Sequence, residues 1–229
     1  MMVFLFSTAM AAGWGGLRDT AGTVDQGDVV VRLPVGTSAV GLTDRTELQV
    51  QPFDLYIWGP RVGIEQVVLD DGPWTLSVRP SVATSGGIWS TRAEALVAWT
   101  GDHHRFGGTV AGDGRWMRQT ILGDDKTHAW SLQRVDVPLV ATWDWMPGGP
   151  EGDGMLRSRV RAVLYDEGDT LDFYTVTESW THRLGKRDRF FLETGVSMLV
   201  GQPSEHVFLG DYAYFLVMPY PRIDVWWQF

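Results

Sequence analysis

The sequence predicts an all-β chain, folded as an antiparallel transmembrane β-barrel of twelve strands, with ten as the alternative count. Three observations predict it. From Asp28 onward hydrophobicity alternates with period two rather than 3.6. The alternating runs extend for about 10–13 residues, where soluble strands average about 5–6 and a tilted strand needs about 9–11 to cross a bilayer. Aromatic residues gather near the ends of those runs, at Tyr56, Trp58, Trp74, Trp89, Trp99, Trp143, Trp145, Trp180 and Phe190, where interfacial girdles place them.

Composition narrows the function classes. The 229 residues carry 19 Lys+Arg against 28 Asp+Glu, a net charge of -9. An acidic chain lacks the basic face of a general nucleic-acid binder. With no cysteine, disulfide scaffolds, thiolate metal sites and cysteine catalysis are excluded. A hydrophobic share of 44% argues against disorder, and the length suits one domain with ample core.

The elements follow in chain order. Met2 to Met10 is apolar, and Ala9-Met10-Ala11 fits a small-x-small cleavage site, so residues 1–11 read as a signal peptide cleaved near Ala11. No Lys or Arg precedes that apolar run. Residues 12–27 read as an N-terminal periplasmic segment, and 28–229 as a single barrel domain. Val29 to Val40 reads as a short hairpin bent at Pro34-Val35-Gly36, or as one strand.

Further on, Trp74, Leu76, Val78, Pro80 and Val82 alternate with Thr75, Ser77, Arg79, Ser81 and Ala83. Ala93, Ala95, Val97 and Trp99 alternate with Arg92, Glu94, Leu96 and Ala98. Val135 to Trp145, Leu156 to Leu164 and Phe190 to Leu199 repeat the pattern. Turn signals stand between the runs at Thr43-Asp44, Trp58-Gly59-Pro60, Asp71-Gly72-Pro73, Ser85-Gly86-Gly87, Gly101-Asp102, Gly168-Asp169 and Gly185 to Asp188. The shorter turns at 44, 71, 101 and 185 belong to one end, with Pro147 to Gly154. Gly112 to Thr127 reads as an outer loop, and Gln202 to Val217 as an outer loop or an extra strand pair.

Alternation alone admits a soluble sandwich with apolar faces inward, or a membrane barrel with apolar faces outward. Charges at mid-strand on the polar faces (Arg79, Glu94, Arg159, Glu193) suit a wet lumen. At the end of the chain Trp227, Val225 and Ile223 share one face, and Gln228, Trp226, Asp224 and Arg222 share the other. A last strand closing on an aromatic residue resembles the assembly signal of bacterial outer-membrane β-barrel proteins, carried here by Phe229, Trp227 and Val225. That resemblance implies the outer membrane of a Gram-negative bacterium. Its partners would be outer-membrane lipids, lipopolysaccharide and the barrel-assembly machinery.

The register gives a lumen. Candidate pore-lining residues are Arg79, Arg92, Glu94, Arg134, Arg157, Arg159, Arg161, Glu193 and Arg222. Arg32, Glu47, Gln49, Arg61, Glu65, Arg105, Asp136, Asp144, Glu178 and Asp224 are placed inward as well, although Tyr174, Val176 and Trp180 share a face with Glu178. The surplus of negative charge then falls in loops and turns, among them Asp113, Asp124 and Asp125. Arg157, Arg159 and Arg161 form a ladder on one wall that could draw anionic solutes; Arg–carboxylate pairing across a closed interior is the opposite reading.

Enzymatic chemistry finds no footing. His128 and Ser131 are three apart, which sends strand residues to opposite faces, and no G-x-S-x-G elbow occurs. The His103-His104 pair reads as a turn-side polar pair, and Asp113 with Asp124-Asp125 as a solvated acidic loop. We expect no metal, no cofactor and no catalytic residue.

Gly41-Leu42-Thr43-Asp44-Arg45-Thr46-Glu47-Leu48 resembles a turn-and-strand element of outer-membrane transport barrels, including the phenol-degradation meta-pathway family. Leu184-Gly185-Lys186-Arg187-Asp188-Arg189 resembles a degenerate second copy. The resemblance implies a barrel with a transport role and transfers no ligand-binding residue. The expected function is therefore a monomeric, porin-like, narrow passive channel for small, anionic solutes. The alternatives are a closed structural or surface-interaction barrel acting through acidic outer loops, and an exported soluble β-sheet ligand-binding protein.

Overall fold

The computed structural model describes residues 21–33, 37–54, 59–85, 87–120, 128–149, 152–165, 171–184, 190–201 and 216–229. The candidate signal peptide, the Gly168-Asp169 turn, the Gly185 to Asp188 turn, Tyr56, Trp58 and Asp124-Asp125 lie outside them.

Twelve strands are present: β1 (Val29–Leu33), β2 (Ser38–Thr43), β3 (Thr46–Asp54), β4 (Gly59–Asp71), β5 (Trp74–Ser85), β6 (Ile88–Thr100), β7 (His104–Thr120), β8 (His128–Trp145), β9 (Gly154–Tyr165), β10 (Leu171–Leu184), β11 (Phe190–Gly201) and β12 (Leu216–Gln228). Each pairs antiparallel with its chain neighbours, and β1 pairs with β12 to close the barrel. At that seam Val30 stands opposite Gln228 and Arg32 opposite Trp226. Val29 and Phe229 exchange both backbone hydrogen bonds, at 3.1 and 2.9 Å.

Closure fixes sidedness. An even strand number returns both ends of the barrel domain to one mouth, called near here, together with the turns after β2, β4, β6, β8 and β10. One of the two-residue turns shows why sequence and geometry agree. Asp71 pairs with Trp74 across Gly72-Pro73, and Gly72 takes φ 57°, which a two-residue hairpin requires and glycine adopts without strain.

The pleat sorts the alternating sequence into two faces. Inside lie Ser77, Arg79, Ser90, Asp144, Arg157 and Glu193, all buried; outside lie Val62, Ile64, Val78, Val110, Val160 and Val196, all exposed. A protein surrounded by water arranges these classes the other way round. A continuous exposed belt of Val, Ile and Leu over a charged interior is the surface of a barrel that spans a bilayer. Trp74, Trp143, Trp145 and Phe229 ring the near mouth on this outer face, while Trp89 and Trp116 mark the far side.

Of the two readings of Val29 to Val40, the structure has the hairpin of two short strands. Three expectations need correction. Residues 112–120 are not loop: Gly112 pairs with Ala93 and Gly114 with Thr91 and Val135, so the β7–β8 hairpin runs long, at 17 and 18 residues. Glycines in that stretch face outward and remove side chains without removing backbone hydrogen bonds. Asp113 follows the same pleat inward and is 2% exposed, so its charge belongs to the interior. Glu178 points outward with Val176 and Trp180, because β10 keeps strict alternation with buried Thr177, Ser179 and Thr181. Its carboxylate accepts a hydrogen bond from Ser158 Oγ at 2.7 Å on the neighbouring outer face.

Candidate functional site

Among the described residues the interior carries three ion-paired clusters, each spanning neighbouring strands, and a separate Arg115–Asp136 pair at 3.1 Å. In the first, on β3 to β6, Glu65 accepts from Ser77 Oγ at 2.6 Å, Gln49 Nε2 at 3.1 Å and Arg79 at 3.3 Å. Arg79 also donates through Nε to Glu94. Adjoining it, Asp113 of β7 accepts from Ser90 Oγ at 2.6 Å and from Arg92 Nε at 2.9 Å, with Arg61 3.8 Å away.

In the second, Asp144 of β8 is clamped between two guanidinium groups. Arg105 reaches one oxygen through Nε and a terminal nitrogen at 2.9 and 2.8 Å. Arg157 takes both oxygens, at 2.7 and 2.9 Å. In the third, Glu193 of β11 meets Arg32 at 3.1 Å, Arg222 at 2.9 Å and Ser179 Oγ at 2.8 Å. Arg32 continues to Asp224 at 2.6 Å and lies over the Trp226 ring, 4.5 Å from its centre.

These pairs offset the cost of holding charges out of bulk water. One wall differs. Along β9, Arg159 stands between Thr142 and Thr177 in register, and Arg161 between Val140 and Thr175. Neither therefore has a carboxylate directly across either ladder, whereas Arg157 stands beside Asp144 and Ser179. Arg159 and Arg161 are half-buried, as are Arg115 and Arg222. Glu94 and Asp224 are half-buried too, so water reaches interior charges of both signs.

The near mouth has another character. Val24, Met146, Met155, Phe191 and Trp226 form a buried apolar cluster with Val30 and Ala39. Phe191 and Trp226 stack at 5.1 Å between ring centres, and Arg183 lies over Phe191 at 5.9 Å.

The pore-lining candidates Arg79, Arg92, Glu94, Arg157, Arg159, Arg161, Glu193 and Arg222 all face inward; Arg134 lies in β8, its side chain outside the described residues. The structure does not gather them into one constriction but divides them among the clusters and the β9 wall. Phe229, Trp227 and Val225 lie on the outward face of β12 at the seam. His104 is likewise on the outer surface, stacked on Trp143 and accepting from its Nε1 at 3.3 Å. His182 accepts similarly from Trp180.

Sequence reading missed Asp113 and Arg115 as interior charges, and the apolar cluster entirely. For Asp113 the signal was present, since Thr109, Ala111, Asp113 and Arg115 alternate with Val110, Gly112, Gly114 and Trp116. For the cluster there was no local signal, because its members come from the N-terminal segment, a turn and separated strands.

The fold and its interior define a class: a closed membrane-spanning barrel with an ion-paired, arginine-rich lumen. No family model matches the chain, and no curated protein does. Among solved structures the chain is similar to an anion-selective porin from Comamonas acidovorans, with a TM-score of 0.43 and 13% identity, over 84% of this chain and 57% of that one. The chain thus spans less than two thirds of that porin's length.

Proposed function

We propose that the chain is a non-enzymatic, porin-like barrel of a Gram-negative outer membrane that passes small solutes, with a preference for anions. The observation that carries the reading is the β9 wall. Arg159 and Arg161 follow Arg157 on one inward face, both half-buried, so three guanidinium groups in succession line that wall. A wetted positive wall lowers the barrier for anions and raises it for cations. A narrow path is the size class proposed, since twelve strands lie between side-chain-filled barrels and open porins.

Planar-bilayer conductance of the refolded protein under a KCl gradient tests this. Discrete steps with an anion-shifted reversal potential are expected, and Arg159→Glu moves that potential toward cations. Steps that keep their selectivity in Arg159→Glu remove the wall from the mechanism. A second reading, the closed structural barrel, is favoured by the apolar cluster at the near mouth. Silence from folded, inserted protein selects it. Neither reading implies a phenolic substrate: the Gly41 to Leu48 element forms the β2–β3 hairpin and supplies scaffold.

A further inference from the structure

The segment before β1 does not hang away from the barrel. Val24 is 1% exposed and belongs to the apolar cluster with Met146, Met155, Phe191 and Trp226. That cluster follows the inner wall at the near mouth from the β8–β9 turn and β9 through β11 and β12 to β1 and β2, with Val24 of the segment packed among it. The backbone N–H of Val24 donates to Glu47 at 2.8 Å, and that of Gly22 to Glu65 at 3.3 Å. Thr23 Oγ1 donates to the Asp44 carbonyl at 3.2 Å, and Gly27 N–H to the Gly41 carbonyl at 2.9 Å.

The wall is shaped to receive this segment. A Cβ on Gly41 would lie 2.0 Å from the Asp25 carbonyl oxygen and 2.7 Å from that of Val24. Glycine here is therefore required by the close approach of the segment and not by the strand, whose φ any residue can take. Two interior carboxylates, a missing side chain and an apolar socket all converge on one short stretch of chain.

We propose that residues 21–27 are a strap that closes the near mouth of the lumen, and that its withdrawal opens the path. The proposal rests on the reading of the interior as a channel. Its anchors are non-covalent, and the β1–β12 pairing that closes the barrel does not include it. A segment held outside the strand ladder can leave its seat without unzipping the barrel, as gating elements do.

The test uses the chain's lack of cysteine. Val24→Cys is made alone and with Gly41→Ala, and each full chain is refolded into liposomes for maleimide labelling and into planar bilayers for conductance. In the single variant the introduced thiol is expected to label at least about tenfold more slowly than an exposed one, as burial requires. Fast labelling there means that the strap is not seated, and overturns the proposal. With Gly41→Ala added, the same thiol is expected to label freely and conductance to rise several-fold. Continued protection of the thiol would place the strap elsewhere than against Gly41, and also overturns it.

Free labelling with unchanged, measurable conductance in both chains leaves the channel reading standing and refutes the gate. Free labelling with silence in both refutes the channel reading, and the gate with it. Should Gly41→Ala fail to fold, Val24→Asp puts a carboxylate into the apolar socket beside Glu47. It is expected to raise conductance in the same way, and conductance equal to that of the natural chain refutes the strap.

Discussion

Whether the barrel interior is dry or wet decides how its ion pairs count, and Asp144→Asn measures it. Asp144 is 0% exposed and takes hydrogen bonds from Arg105 and Arg157, each through two nitrogens. Asparagine keeps the shape but removes the charge, and it turns one acceptor into a donor facing a guanidinium. Two unit charges 4 Å apart are worth about 4 kcal/mol at an effective dielectric of about 20, but only about 1 kcal/mol in bulk water. Two pairs sharing one carboxylate are not additive, so the expected loss is about 3–5 kcal/mol, the range for breaking a buried pair. Urea unfolding in lipid vesicles reads this as a midpoint lowered by at least about 1 M. Adding Arg105→Gln should recover part of the loss by removing one of the two stranded cations. A loss below about 1 kcal/mol refutes the reasoning, since it is the bulk-water value and describes a solvated site.

On the outer face, Val160→Arg should cost about 2–4 kcal/mol in vesicle unfolding, because Val160 is exposed at mid-strand between Ala141 and Val176. Val196→Arg should cost measurably less, since Val196 stands directly opposite Glu178 and its replacement can pair with that carboxylate; equal losses would argue against the outward placement of Glu178. Glu178→Leu should stabilise the barrel in lipid by about 1 kcal/mol, read by the same unfolding assay, and a destabilisation would mean that the hydrogen bond from Ser158 outweighs the cost of a carboxylate on the lipid face. Deleting Phe229 removes the backbone pairing with Val29 that seals the seam. The folded, heat-modifiable fraction on unheated gels should therefore fall.

Strand order, face assignment and sidedness were legible because each depends on local periodicity. One residue of slip in Trp74 to Ser85 would have turned Arg79 into the lipid, and the pattern excludes it. Reading stopped where periodicity stopped being the governing rule. Gly112 and Gly114 look like loop because they carry no side chain, yet the ladder needs only their backbone groups. Glu178 looks like lumen because it is charged, yet the pleat sets its direction irrespective of charge, and Ser158 meets it outside. The interior partners of each arginine were not legible at all: Arg32 finds Glu193 across 161 positions of chain, which only closure of the barrel brings together.

Arginine makes up 17 of the 19 basic residues, and the structure gives this bias a use beyond charge. At the boundary between the charged clusters and the apolar socket the same guanidinium must serve both. Arg32 pairs with Glu193 and Asp224 through separate nitrogens while its flat face lies over Trp226. Trp226 in turn stacks on Phe191, and both belong to the cluster that receives Val24. A lysine ammonium could donate to both carboxylates, but it has no flat face to lay over the ring at the same time. The strap's socket and the ion-paired lumen are therefore mechanically continuous through one side chain. A rearrangement of the Arg32–Glu193–Arg222 cluster, which water still reaches at Arg222, would be felt at the seat of Val24.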